Sequence, residues 1–251
     1  MSSTGTGADC TVASPCPCLS AAIGKATAGD TIEVAADGTY KGACNKDITL
    51  DTPATHDITI KGTGGKAVFD FEGNGRAFRF TGGVATVVEN FTWKNAAGPQ
   101  STESVNADGD TVLTLLDATD SNQGGVIKIA GASPKIKNFD MLDCIVKGGG
   151  WGTSAGGFHI VDGFPVLENG LVKNVKNPKG MLGGAGYLSG SDYDKMKATI
   201  KNVRFEDTYG SIGGAVLPEG NHASVFENCY FYNTKGNSGG AVDDGGTANA
   251  T

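Results

Sequence analysis

Hydrophobic positions follow two spacings, one close to the N-terminus and another through the rest of the chain. Leu19, Ala22, Ile23 and Ala26 recur at i, i+3, i+4 and i+7, which predicts a short helix with one apolar face, ended by the Gly-Asp pair at 29–30. Short runs of alternating apolar and polar residues follow, and they predict strands at 31–34, 48–50, 57–60, 67–69, 77–80, 86–88 and 111–116. A helix ahead of many short strands suits a cap that covers the open end of a stacked β structure.

Two motifs recur together at intervals of about 30 residues. One is a Gly-Gly pair, and the other is an Asn followed three residues later by an apolar residue and five later by Asn or Asp. The Gly pairs lie at 124–125, 156–157, 183–184, 213–214 and 239–240, and the asparagines are Asn90, Asn138, Asn169, Asn202 and Asn228. One such unit cannot bury its apolar face alone, so the period predicts a stack of similar coils. The expected fold is all-β, a right-handed parallel β-helix (solenoid) with a short N-terminal capping helix.

The chemistry of these motifs indicates construction rather than catalysis. Equivalent positions of successive coils lie about 4.8 Å apart, so we expect the five asparagines to form a structural ladder of hydrogen bonds at a turn into the interior. The residues three positions later should form an apolar column beside it: Trp93, Met141, Val172, Phe205 and Phe231. The Gly pairs should supply positive φ at another corner and leave room for close backbone passage.

The repeat also predicts the organisation of the chain. A single β-helix domain should span 1–251, with a cap and cysteine cluster at 1–30, opening coils at 31–95, an insertion at 96–123 and regular coils at 124–251. The insertion is indicated by the 48 residues between Asn90 and Asn138, and within it 97–102 is expected to be a loop. A second insertion at 189–197 lengthens a later coil, and both insertions are candidate binding loops. Because the repeat stops part-way through a unit after Val242, we expect the chain to be a segment of a longer solenoid or to have that end covered by a neighbour.

Some of these repeats resemble those of a known family. Polymorphic outer membrane proteins carry Gly-Gly-Ala-Ile and Phe-x-x-Asn motifs, and the resemblance rests on Gly213-Gly214-Ala215-Val216, Gly239-Gly240-Ala241-Val242 and the segment 229–234. The segment 29–40 is similar to the opening coils of pectin-lyase-like β-helices. The resemblance implies a right-handed parallel β-helix and, by analogy alone, an adhesive or structural role at a cell surface.

Composition narrows the choice of partner and compartment. The formal net charge is −7 and no Lys/Arg cluster occurs, which disfavours nucleic acid and anionic membranes as partners. No apolar window is long enough for a membrane span. Four cysteines crowd the N-terminal region and are candidates for two disulfides, which would imply an oxidising, extracellular or cell-surface location: Cys10, Cys16, Cys18 and Cys44. Four free thiols in a reducing cell are the alternative.

Candidate chemistry is sparse. β-Helix enzymes that cleave acidic polysaccharides use clustered Asp with His, Arg or Lys, yet the pair Asp243-Asp244 has no matching His or Arg-x-Lys. In an alternating strand His159 and Asp162 point to opposite faces, which argues against a dyad. Asp108 and Asp110 are a calcium candidate, but the bidentate Glu of an EF-hand loop is missing and an acidic glycine turn is the preferred interpretation. We therefore assign no catalytic residue, cofactor or metal.

Two functions remain from the sequence. The preferred one is a non-catalytic, secreted or cell-surface structural or adhesion β-helix that presents loops to a protein, a glycan or neighbouring copies of itself. The alternative is a carbohydrate-active β-helix enzyme, a polysaccharide lyase or hydrolase. The two differ in whether several acids and a base converge in one groove.

Overall fold

The computed structural model describes residues 1–7, 9–11, 13–98, 101–105, 111–115, 123–146, 150–178 and 180–244, and for 101–105, 111–115, 150–153 and 180–181 it describes the backbone alone. Helical elements in this part of the chain are short: α1 (Leu19–Ile23), α2 (Pro53–His56) and a 3₁₀ turn (Ala43–Asn45). The strands are β1 (Thr31–Ala35), β2 (Thr39–Tyr40), β3 (Ile48–Leu50), β4 (Thr59–Thr63), β5 (Ala67–Asp70), β6 (Phe78–Phe80), β7 (Val87–Lys94), β8 (Ser101–Val105), β9 (Thr111–Leu115), β10 (Ile127–Ala130), β11 (Lys135–Leu142), β12 (Gly150–Ser154), β13 (Phe158–Val161), β14 (Val166–Lys173), β15 (Gly180–Leu182), β16 (Gly186–Gly190), β17 (Thr199–Glu206), β18 (Val216–Gly220), β19 (Val225–Glu227) and β20 (Tyr230–Tyr232).

Two parallel sheets run along the stack of coils. The first joins β1, β4, β7, β11, β14, β17 and β19 in that order, and β2, β5 and β20 extend it sideways. The second joins β3, β6, β10, β13, β16 and β18. Neighbouring strands come from successive coils and pair in parallel, so the chain forms a β-solenoid of about six turns. The predicted parallel β-helix is confirmed.

Left-handed asparagines bend the long strands of the first sheet. β7, β11, β14 and β17 each contain 8 residues, and each includes one Asn with φ between 50° and 64°. In β7 the bend puts two successive side chains, Glu89 and Asn90, on the outside, and Phe91 then returns to the core. The asparagines therefore lie on the outer surface of the coils. The expectation that they turn into the interior was wrong. Phe91, Phe139 and Val203 follow three of the bends and occupy that space, and beside Gly170, which follows Asn169, the Phe139 ring fills it.

The predicted apolar column is confirmed. Strand register places Trp93, Met141, Val172, Phe205 and Phe231 side by side in successive coils. The first four are at most 1% exposed, so each is expected to contribute about 1.5–3 kcal/mol by leaving water. Phe231 lies in the last described coil and is only partly buried.

The glycine pairs form a second corner of the coils, and in one coil the pair is displaced by one residue. Gly124, Gly183, Gly213 and Gly239 have positive φ, but in the remaining coil Ala155 occupies that position with φ 59°. The pair at 156–157 is thus shifted by one residue relative to the others. The second glycine of a pair serves close approach, since a Cβ on Gly214 would overlap the carbonyl oxygen of Gly240 in the next coil.

The cap is present but shorter than predicted. α1 ends at Ile23, just before Gly24, rather than reaching the glycine at 29. Leu19, Ala22 and Ile23 are buried, and the Leu19 N–H donates to Asn45 Oδ1 at 2.8 Å, which joins the cap to the first coil. Among the described residues, no helix is long and apolar enough to cross a membrane.

The first insertion contains an antiparallel hairpin of β8 and β9. The strand predicted at 111–116 is therefore observed at Thr111–Leu115, whereas the loop predicted through 102 was wrong at its end, because β8 begins at Ser101. The second insertion is a turn in which the Lys195 N–H donates to the carbonyl oxygen of Asp192 at 3.0 Å.

Candidate functional site

A column of Asn and Asp marks the corner where the first sheet ends. Asp143, Asn174, Asp207 and Asn233 have φ between 50° and 55°. Asn174 Nδ2 donates to Asp143 Oδ1 at 2.6 Å, and Asn233 Nδ2 donates to Asp207 Oδ1 at 2.6 Å. Each carboxylate is held by the amide of the following coil, so this corner is a pre-organised polar surface.

Two residues further along each coil, Lys176, Tyr209 and Lys235 form a second column. Backbone bridges pair Lys176 with Tyr209 and Tyr209 with Lys235, which sets neighbouring residues about 4.8 Å apart along the solenoid. The Tyr209 side chain is 37% exposed. A tyrosine ring therefore faces solvent between two lysines.

These columns line an open groove of about 650 Å³, a size typical of small-ligand sites. It runs across four successive coils. Its walls carry amides, carboxylates, ammonium groups and one phenol ring, supplied by Asp143, Lys173, Asn174, Lys176, Asp207, Thr208, Tyr209, Asn233 and Lys235. We call it the Tyr209 groove.

The lysines of the Tyr209 groove differ in whether a carboxylate pairs with them. Lys173 Nζ lies 3.1 Å from Glu206 Oε2, and hydrogen bonds from Lys173 and Arg204 lower the pKa of Glu206. Among the described residues, neither Lys176 nor Lys235 has a carboxylate within ion-pair distance. Two ammonium groups beside the Tyr209 ring are thus available to an anionic ligand.

The five predicted ladder residues lie elsewhere on the outer surface. Asn138 Nδ2 donates to Asn90 Oδ1 at 3.3 Å, Asn202 to Asn169 at 3.0 Å, and Asn228 to Asn202 at 3.3 Å. In each bond the later coil donates and the earlier coil accepts. The amide of Asn90 instead donates to the carbonyl oxygen of Gly62 at 3.0 Å. None of these five asparagines is among the described residues that line the Tyr209 groove.

The residue before each ladder asparagine belongs to a column of alternating charge, which the sequence interpretation missed. Strand register orders it as Glu33, Lys61, Glu89, Lys137, Glu168, Lys201 and Glu227. Side-chain N–O distances are 3.2 Å for Lys61–Glu89, 3.3 Å for Lys137–Glu168 and 2.8 Å for Lys201–Glu227. Exposed pairs contribute about 0–1 kcal/mol each, so this charge column mainly favours one register of coils over another.

A serine and a histidine meet beneath the surface of the second sheet. Ser154 Oγ lies 2.5 Å from His159 Nδ1, and the two residues are 1% and 2% exposed. The ring of His159 packs on Tyr187 with centroids 4.9 Å apart. Asp162 instead accepts hydrogen bonds from Ser191, at 2.9 Å from its N–H. The predicted separation of His159 from Asp162 is confirmed, but the serine partner was missed.

Burial determines the charge state of His159. Desolvation first, and then the positive charges of Lys128 and Arg76, lower the pKa of His159 to about 3, so the imidazole is neutral near pH 7. A neutral imidazole beside a hydroxyl is the geometry of a base and a nucleophile. Here both groups are enclosed, and the neighbouring Tyr187 hydroxyl donates to Glu219 at 2.7 Å. The pair therefore acts as a buried hydrogen bond rather than an accessible reactive centre.

The cysteine cluster is partly cross-linked. Cys10 and Cys16 form a disulfide, while Cys18 and Cys44 are free thiols. Burial raises the pKa of the Cys44 thiol to about 11, and a hydrogen bond with Cys18 adds to that effect. The structure thus contains one of the two expected disulfides.

The remaining candidates carry no assigned chemistry. Asp108 and Asp110 lie outside the described residues, and within the part of the chain that the structure describes no cluster of three His, Cys, Asp or Glu side chains could hold a metal ion. Asp244 lies 3.6 Å from His222. Comparison with protein-family models, curated proteins and solved structures gives no significant match.

Proposed function

We propose that this chain is a non-catalytic, secreted or cell-surface solenoid with a structural or adhesive role, and that its Tyr209 groove binds a glycan. The observation that carries the proposal is the exposed Tyr209 ring between Lys176 and Lys235, beside a fixed wall of amides and carboxylates. A sugar ring has apolar faces and polar edges. A flat aromatic surface flanked by polar groups matches both, as it does at other wet interfaces.

The two lysines point to the charge of the glycan. Ammonium groups without a carboxylate partner among the described residues favour a saccharide bearing carboxylate or sulfate groups. One wall of the groove repeats an Asp or Asn once in each coil, and such a regular spacing suits a linear polymer. An anionic, linear glycan is therefore the ligand class that we propose.

The groove carboxylates hold the corner of the coils together, which supports a non-catalytic role for them. Asp143 and Asp207 are each held by an Asn amide of the following coil, and the described residues that line the groove include no histidine. The Cys10–Cys16 disulfide supports the proposed extracellular or cell-surface location, because such bonds persist in oxidising compartments.

Calorimetry with uronate-containing oligosaccharides and neutral oligosaccharides of equal length tests the proposal. We expect the acidic ligands to bind, Tyr209→Ala to weaken their binding about tenfold, and the double substitution of Lys176 and Lys235 by Gln to remove the preference for acidic ligands. Matched controls are Phe164→Ala, an exposed aromatic outside the groove, and Lys197→Gln, an exposed lysine outside it. Groove variants that bind like these controls would refute the assignment.

The same samples test the alternative of a carbohydrate-active enzyme. Incubation with pectin, alginate and similar polyuronates should release neither reducing ends nor unsaturated products. Product formation would replace the adhesive function with that of a polysaccharide lyase or hydrolase. If the protein binds none of the oligosaccharides and releases no product, the glycan-binding proposal is refuted and the enzyme alternative gains no support.

A further inference from the structure

Two free thiols lie together where the capping helix meets the first coil. Cys18 immediately precedes α1, and Cys44 lies in the 3₁₀ turn Ala43–Asn45. We infer that this pair is a site of oxidative modification, at which a small-molecule disulfide such as oxidised glutathione converts the two thiols into a disulfide that fastens the cap to the first coil. The inference concerns the cap alone and does not depend on glycan binding in the Tyr209 groove.

A buried asparagine holds the two cysteine-bearing segments against each other. Leu19 follows Cys18 in the chain, and its N–H donates to Asn45 Oδ1 at 2.8 Å. Asn45 follows Cys44, and its Nδ2 donates to the carbonyl oxygen of Lys41 at 2.7 Å. This one side chain therefore joins the start of α1 to the 3₁₀ turn, across a sequence separation of 26 residues.

The two thiols are in direct contact. Cys18 occupies the N-cap position of α1, but its side chain makes no capping hydrogen bond. Its thiol is instead hydrogen-bonded to that of Cys44. Disulfides form between cysteines whose side chains already approach each other, without displacement of the backbone. The contact between Cys18 and Cys44, together with the fixed backbone around it, meets this condition.

The other four cysteines are committed elsewhere. Cys16, which is separated from Cys18 by one proline, is bonded to Cys10 and is buried. Cys144 is buried in the core of a later coil, and Cys229 lies between β19 and β20. The partner of Cys18 is therefore the thiol in the 3₁₀ turn.

Exposure sets the order of the two exchange steps. Cys44 is exposed and Cys18 is buried, so the Cys44 thiolate attacks one sulfur of oxidised glutathione, forms a mixed disulfide and releases one reduced glutathione. The Cys18 thiolate then attacks the Cys44 sulfur, and the second reduced glutathione leaves. The two electrons and two protons lost by the cysteine pair are gained by glutathione. Because desolvation and the hydrogen bond with Cys18 raise the pKa of Cys44 to about 11, the first step is slow at neutral pH.

Peptide mapping without reduction, after incubation of the full chain with oxidised glutathione, tests the pairing. In the wild type we expect a cross-link between the peptides that contain Cys18 and Cys44, and it should persist when Cys10 and Cys16 are both replaced by Ser. In Cys18→Ser, which lacks the second nucleophile, the glutathione adduct should instead accumulate on Cys44. Cys229→Ser is the matched control and should cross-link like the wild type.

Hydrogen exchange tests whether the new bond fastens the cap. Amides of α1 should exchange about 100-fold more slowly in the wild type after oxidation than before it, as a typical disulfide implies, whereas β17 amides and the Cys44→Ser protein should show no change. A stable glutathione adduct on Cys44 of the wild type, a bridge from Cys44 to Cys10 or Cys16, or unchanged exchange of α1 in the cross-linked protein would overturn the inference.

Discussion

Acid should destabilise the second sheet through His159, and replacing this histidine with Phe should remove that sensitivity. The pKa of His159 is about 3 in the folded protein, against about 6.5 for an accessible histidine. Below pH 6.5 the opened state therefore binds a proton that the folded state does not. Stability that is fully present above pH 6.5 falls as the pH is lowered toward 3.

The slope of the unfolding free energy against pH follows from the difference in bound protons between the opened and folded states. One proton of difference costs about 1.4 kcal/mol per pH unit, so the wild type should lose about 2.5 kcal/mol through His159 between pH 6.5 and 4.5. At pH 7, His159→Phe should be the less stable protein, because Ser154 loses its partner at a cost of about 1–3 kcal/mol. At pH 4.5 the difference should shrink or reverse.

Hydrogen exchange is the appropriate assay, because coils of a solenoid open separately and one global midpoint would average them. Opening free energies of β13 amides at pH 7 and pH 4.5 give the slope directly. Val161→Ala, on the same strand, is the control: it should lower stability equally at both pH values. If the opening free energies of wild type and His159→Phe differ by the same amount at pH 7 and at pH 4.5, the reasoning about the burial of His159 is wrong.

Substitutions at three further positions address the repeat itself. Gly214→Ala should destabilise the neighbouring coils by about 3 kcal/mol, since the added methyl overlaps a carbonyl of the next coil. Gly24→Ala is the control, because Gly24 has φ −63°, which alanine adopts easily. It should be neutral or stabilising by about 0.4–1 kcal/mol when the two variants are compared by thermal unfolding. Asn138→Gly should lose only the ladder bond, about 1 kcal/mol, whereas Asn138→Ala should lose about 1–2 kcal/mol more because alanine resists positive φ; equal losses in urea titrations would contradict this. Lys137→Glu should destabilise the protein by about 1 kcal/mol at low salt and less at 1 M salt, and Lys197→Glu, outside the charge column, should show no such salt dependence.

The coil architecture was readable from the sequence because one residue type meets one backbone requirement. Asn recurs where the strand needs a left-handed residue, and the interval between successive asparagines gives the length of a coil. The same logic gave the apolar column through Trp93 and Phe205. The same reasoning placed the asparagines in the interior, whereas they lie on the outer surface. A residue type that favours a bend does not show whether its own side chain or that of its neighbour points inward.

The Tyr209 groove was missed for a different reason. Lys176, Tyr209 and Lys235 each follow the corner Asn or Asp by two residues, so a signal existed. Only the register shows that these three unlike side chains share a surface. The Ser154–His159 pair had no such periodic signal, because it depends on how one strand covers another.

The alternation of Glu and Lys makes the number of coils a matter of parity. Deleting one internal coil, such as the one containing Lys137, would bring Glu89 against Glu168, whereas deleting two would bring Glu89 against Lys201 and restore attraction. Variants shortened or lengthened by an even number of coils should therefore keep a matched column, and odd changes should introduce one repulsive step. This solenoid is thus best resized in units of two coils.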